Sequence, residues 1–157
     1  MKRLIVLGAL VALPLCAAVA TADTVPDAVK FDNGAVAQSL TGVAGDPADG
    51  LKVATTRPMG NCIACHVAAG WAKFADPGDI GPALDGVGSK YTEAQLRGIV
   101  ANAKMTFPDT LMPSFYKTSG FIRPGDGYTA KAPTGPIQPI LTAQQVEDVV
   151  AFLMTFK

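Results

Sequence analysis

One histidine, one tryptophan and three cysteines in 157 residues leave this chain few reactive side chains. Charge is also sparse, at 17% of residues, with 13 basic against 13 acidic. Without an excess of positive charge there is no electrostatic footprint for nucleic acid, and that class of partner is excluded. Once Cys16 leaves with the N-terminal leader, two cysteines and His66 remain, one ligand short of a structural zinc cage of four Cys or His. Hydrophobic strands alternating with helices are missing, so a redox dithiol on a βαβ frame has no scaffold. No internal repeat is visible. Glycine and proline, in contrast, are plentiful, at 16 and 12. They suit one modest domain in which irregular backbone separates a few helices.

The apolar residues concentrate at one end, where Leu4 to Ala20 is almost unbroken behind Lys2 and Arg3. A spanning helix needs about 20 apolar residues. This run is shorter, contains Pro14 and leads into Ala20-Thr21-Ala22. Residues 1–22 therefore read as a secretory signal peptide cleaved before Asp23, with an uncleaved anchor as the alternative. Cys16 follows Leu15, where lipidation calls for a small residue, so a lipoprotein is not expected. Taking Lys2 and Arg3 from 13 basic residues leaves 11 against 13 acidic, a formal charge of −2. No later segment is long and apolar enough to cross a bilayer. The mature chain is expected to have no membrane span and to reside in the periplasm. Its remaining cysteines are Cys62 and Cys65.

Residues 23–45 have weak periodicity and read as a loosely structured N-terminal extension with room for a short helix. From residue 46 the pattern sharpens. Asp46-Pro47 offers an N-cap with proline at the first helical position, and a helix of two or three turns should end before Pro58. Asn61 to Ala69 can form a further short helical piece, and Trp71 to Lys90 reads as loop. Thr92 with Gln95, and Thr142 with Gln145, are capping-box pairs. They predict helices over 92–103 and 142–156, the second with Val146, Val149, Val150 and Leu153 on one face. Between Met105 and Ile140 six prolines preclude long regular elements. So long a structureless stretch in so small a domain implies that it wraps a bulky buried group.

Cys62-Ile63-Ala64-Cys65-His66 is C-x-x-C-H. Two thiols on one turn can add to the two vinyl groups of haem while the next imidazole reaches the iron. A plain short-range disulfide is the remaining alternative. The sixth position must then be taken by methionine, lysine or nothing. Met59 lies too close in sequence to Cys62 to reach the opposite face, and Met154 sits in the last helix. Met105 and Met112 remain, and Met112 is the stronger candidate because Pro113 holds the preceding residue out of helix and can present a thioether rigidly. Gly81-Pro82-Ala83-Leu84 is a candidate source of a carbonyl that accepts the imidazole N–H. Trp71, Phe74, Tyr91, Phe107, Phe115 and Tyr116 are candidates to line the macrocycle, and Arg57, Lys90 and Arg97 to meet its propionates.

These residues resemble the class I cytochromes c over 46–156: a helix before C-x-x-C-H, a Gly-Pro-x-Leu segment after it, and a Met-Pro further on. Within that class the chain resembles the SoxX family, monohaem subunits of the sulfur-oxidising Sox cytochrome complexes. The blocks that carry this are Gly60-Asn61-Cys62-Ile63-Ala64-Cys65-His66, Gly81 to Gly88, Tyr91 to Arg97, Leu111-Met112-Pro113-Ser114-Phe115-Tyr116 and Leu141 to Leu153. The resemblance implies an all-α fold, a class I cytochrome c domain over 46–157 with few helices and long Pro/Gly-rich loops around one covalent haem c. It implies thioether links at Cys62 and Cys65, with His66 and Met112 as axial ligands. It also implies a heterodimer with a SoxA-like haem subunit that couples thiosulfate to a cysteine of a SoxYZ-like carrier. Electrons would leave through this chain to a downstream acceptor, and the chain would hold no catalytic residue of its own. Residues 117–140 form a Pro/Gly-rich segment outside the blocks that carry the resemblance, with a place at the partner interface or over the haem edge as its alternatives.

A free-standing electron carrier of a respiratory chain is the alternative. Such a carrier commonly steers with a ring of like charges, whereas both signs are scattered here. An enzyme working at its own haem would need an open iron site and a nearby acid or base, and no second histidine is there to serve.

Overall fold

The computed structural model describes residues 22–74, 77–125 and 131–157. Residues 1–21 of the expected signal peptide lie outside the described residues.

Among the described residues four α-helices organise the fold: α1 (Pro47–Thr55), α2 (Val87–Lys90), α3 (Glu93–Asn102) and α4 (Ala143–Leu153). Each of the longer three starts as its sequence dictates. Asp46 caps α1 by accepting hydrogen bonds from the Ala48 and Asp49 N–H groups, with Pro47 in the first turn. Thr92 and Gln95 form a complete capping box on α3, as do Thr142 and Gln145 on α4. Among the described residues the only strand-type pairing is one isolated bridge, Asp32 with Ala35.

The core lies where α1 and α3 pack on α4. Val146, Val149, Val150 and Leu153 are buried on one face of α4, as the spacing predicted, against Val53 of α1 and Leu96 and Val100 of α3. Each such side chain contributes about 1.5–3 kcal/mol by leaving water. The α1–α4 crossing is close because residue 50 is glycine: a Cβ there would run into the Asp148 carbonyl and the Phe152 side chain. A satellite cluster joins Ala54, Ile63, Ala68, Trp71 and Phe152, with Cys62 and Phe156 packed against it.

Three expectations about elements change. The helical piece expected over Asn61–Ala69 is two separate 3-10 turns, Cys62–Ala64 and Ala69–Trp71. The expected loop over 71–90 ends in the single turn α2. The last helix stops at Leu153 rather than 156, because Phe156 folds back to stack edge-on against Trp71 and Phe152, with ring centroids 6.0 and 4.8 Å away.

The extension over 23–45 is not loose. Val36 and Leu40 are buried in the main core. The Leu40 N–H donates to Glu147 Oε1 at 2.7 Å, the Val36 N–H donates to the Ala94 carbonyl at 2.9 Å, and the Tyr116 hydroxyl donates to the Thr24 carbonyl at 2.6 Å. A buried ion pair anchors it: Arg97 Nε donates to Glu147 Oε1 at 2.9 Å, and Arg97 Nη1 to the Val36 carbonyl at 3.0 Å. Both charged side chains are 4% exposed. Burial by itself lowers the guanidinium pKa. The hydrogen bonds and attraction of Glu147, then of Glu93, outweigh it and raise the pKa above its ordinary value.

Candidate functional site

Asn61 enters the motif in the left-handed region at φ 48°, a conformation that asparagine tolerates better than most residues. The chain then closes a tight turn in which the Cys65 and His66 N–H groups both donate to the Cys62 carbonyl, at 3.1 and 3.0 Å. Both thiols are half-buried and unpaired, so the disulfide alternative is not adopted. Burial, with a smaller push from Cys65, outweighs a backbone hydrogen bond and raises the Cys62 thiol to about 11. A thiol so placed is protonated at neutral pH and is a poor metal ligand or exchange partner. Among the described residues no group of three or more His, Cys, Asp or Glu side chains is placed to hold a metal ion.

His66 is half-buried beneath a loop laid along the motif. The Gly78 N–H donates to the Ile63 carbonyl at 2.9 Å, the Gly81 N–H to the Cys65 carbonyl at 2.7 Å, and the Leu84 N–H to the Val67 carbonyl at 2.9 Å. This brings the Pro82 carbonyl to 2.7 Å from His66 Nδ1. Nδ1 is thereby the protonated nitrogen, and Nε2 keeps its lone pair for a metal. Glycine is required at 81 because a Cβ would overlap the imidazole ring. The Gly-Pro signal in the sequence thus locates the carbonyl that orients His66.

Met112 lies in the irregular segment after α3, half-buried and packed against the main core. Its N–H donates to Thr110 Oγ1 at 3.2 Å, and its carbonyl accepts from Lys104 Nζ at 2.9 Å. Met105, the competing candidate, is 50% exposed at the end of a 3-10 turn. Met59 and Met154 are half-buried on the main core. Leu84 packs against both clusters, alongside Met112 in one and Cys62 in the other.

The aromatic candidates divide. Trp71, Phe115 and Tyr116 are core residues, at 0%, 6% and 6% exposure. Tyr91 is half-buried, and Phe74 and Phe107 are exposed. Of the cationic candidates, Arg97 is engaged by Glu147 and is withdrawn as a propionate partner. Arg57 is exposed, and Lys90 lies 5.2 Å from the Tyr91 ring centroid. Sequence reasoning missed Lys104, Asn102 and Ser114, whose partners are a distant carbonyl and each other.

The donor set fits a covalently held haem. Two unpaired thiols three positions apart and an imidazole with Nδ1 already engaged are donors that could attach and ligate such a group, and Met112, a thioether on a loop resting on the apolar core, is a candidate for the remaining iron position.

A family model for cytochrome c matches residues 48–157. No curated protein sequence matches the chain significantly. Among solved structures, a chain in the crystal structure of SoxXA from P. pantotrophus is 56% identical, and the match covers 87% of this chain and 99% of that one with a TM-score of 0.82.

Proposed function

The chain belongs to the cytochrome c family, as a SoxX-type subunit that carries covalent haem c, and from that premise we propose that it is the electron-transfer subunit of a periplasmic thiosulfate-oxidising complex. Its partner in this reading is a SoxA-like haem protein, and together they couple thiosulfate to a cysteine thiol of a SoxYZ-like carrier. The observation that carries the reading is 56% identity over 99% of a chain in a SoxXA structure.

Oxidative coupling of thiosulfate to a thiol forms one S–S bond and releases one proton and two electrons. Haem c, when bound, supplies a one-electron ferrous/ferric couple. Cys62 and Cys65 hold it by thioether bonds. His66, fixed by the Pro82 carbonyl 2.7 Å from Nδ1, would ligate the iron through Nε2, and Met112 would ligate it through its sulfur. A thioether ligand favours the ferrous state and raises the potential. With His66 and Met112 both on the iron and both mature cysteines consumed by the haem, this chain would have neither a site for thiosulfate at iron nor a free thiol to carry sulfur.

The signal peptide over residues 1–22 would deliver the chain to the periplasm. Among the described residues no helix is long and apolar enough to cross a membrane. Purification of the exported protein from its native host tests the assignment. A haem-bearing SoxA-like protein should co-purify in equal amount, and a chain that elutes alone with its haem would instead support a free-standing carrier.

A further inference from the structure

The segment that carries Met112 is fastened at three points to the end of α3 and the 3-10 turn Ala103–Met105 that follows it. The Tyr116 N–H donates to the Ala101 carbonyl at 3.0 Å, Ser114 Oγ donates to Asn102 Oδ1 at 2.7 Å, and Lys104 Nζ donates to the Met112 carbonyl at 2.9 Å. The last two are side-chain contacts, and they bracket Pro113, whose ring already fixes φ. The peptide groups flanking Met112 are thus held on both sides, the N–H by Thr110 Oγ1 and the carbonyl by an ammonium. Lys104 is exposed and forms no ion pair with an acidic side chain among the described residues. Its charge is directed to this carbonyl.

We propose that Lys104 is a positioning residue for the distal ligand: by donating to the Met112 carbonyl it clasps the Met112-Pro113 turn and slows its opening. The inference rests on Met112 being the sixth ligand. A charge-assisted hydrogen bond to a carbonyl stabilises the closed turn more than a neutral one would. Any outside ligand must wait for the turn to open, so the clasp acts on the rate at which the iron can be reached.

The test uses the ferric haem-loaded chain and imidazole as the entering ligand. Lys104→Met keeps the aliphatic stem and removes the donors, whereas Lys104→Arg keeps a donor. Imidazole should bind Lys104→Met about five- to tenfold faster than the parent, the effect of losing one partly exposed hydrogen bond. Lys104→Arg should return the rate to within about twofold of the parent, which general loosening of the fold would not do. A parent-like rate in Lys104→Met, or a rate in Lys104→Arg as fast as in Lys104→Met, overturns the clasp. Met112→Ala separates the two claims through the sulfur-to-iron charge-transfer band. If the band is lost in Met112→Ala but Lys104→Met binds imidazole at the parental rate, the clasp alone fails. If the band survives in Met112→Ala, the ligand reading fails and takes the clasp with it.

Discussion

His66 and Met112 are held by different means, and the difference decides how each responds to mutation. The imidazole is oriented from behind by the Pro82 carbonyl and has room only because residue 81 carries no Cβ, so its placement depends on backbone fixed to the C-x-x-C-H turn. The thioether depends on a loop fastened by side chains. Met112→Ala should therefore leave haem attached through Cys62 and Cys65 while removing the sulfur-to-iron band. It should also lower the reduction potential by on the order of a hundred millivolts or more, since axial ligands spread haem potentials over ~0.8 V. Absorption spectra and redox titration of the variant check this. The competing Met105→Ala should change neither. Gly81→Ala should act on the other face. Its methyl displaces the imidazole, so haem should stay covalently bound while the low-spin ferric spectrum weakens.

The N-terminal extension, α3 and α4 meet at the Arg97–Glu147 pair. Glu147 accepts from Arg97 and from the Leu40 N–H, while Arg97 donates to the Val36 carbonyl, so one carboxylate joins three segments. Removing one partner of a buried pair strands the other charge. Glu147→Gln should cost about 3 kcal/mol in denaturant unfolding of the haem-loaded chain, at the low end for such pairs because Glu93 still reaches Arg97. Proteolysis between residues 24 and 40 should accelerate in the same variant. The raised Arg97 pKa gives a contribution fully present below the unfolded value and lost only as pH rises past it. Alkaline conditions short of that range should leave this anchor intact. Helices α3 and α4 were legible in advance because capping pairs and apolar period are local signals. The anchor was not, because Arg97 and Glu147 are 50 residues apart and each reads alone as a solvated charge. The extension was missed for a related reason: Val36 and Leu40 are too few to set a period, and their burial is decided by α3 and α4. Within the site, the carbonyl behind His66 was legible from Gly81-Pro82. Lys104 was not, since its acceptor is a backbone carbonyl eight positions on.

At the scale of the whole molecule, small size and the proposed saturation of the iron by His66 and Met112 point the same way. A domain of this length whose irregular segments are so long would gain much of its buried surface from a haem it encloses. The proposed role makes the chain a conduit, with substrate chemistry in a partner. Reconstitution tests this most directly: the purified mature chain is mixed with carrier protein, thiosulfate and an electron acceptor, with and without a SoxA-like subunit. Haem reduction and the mass of the carrier's cysteine conjugate are followed together. The account predicts no conjugate and no thiosulfate-driven haem reduction from this chain alone, and both once the partner is added; conjugate formed by this chain without a partner would contradict it.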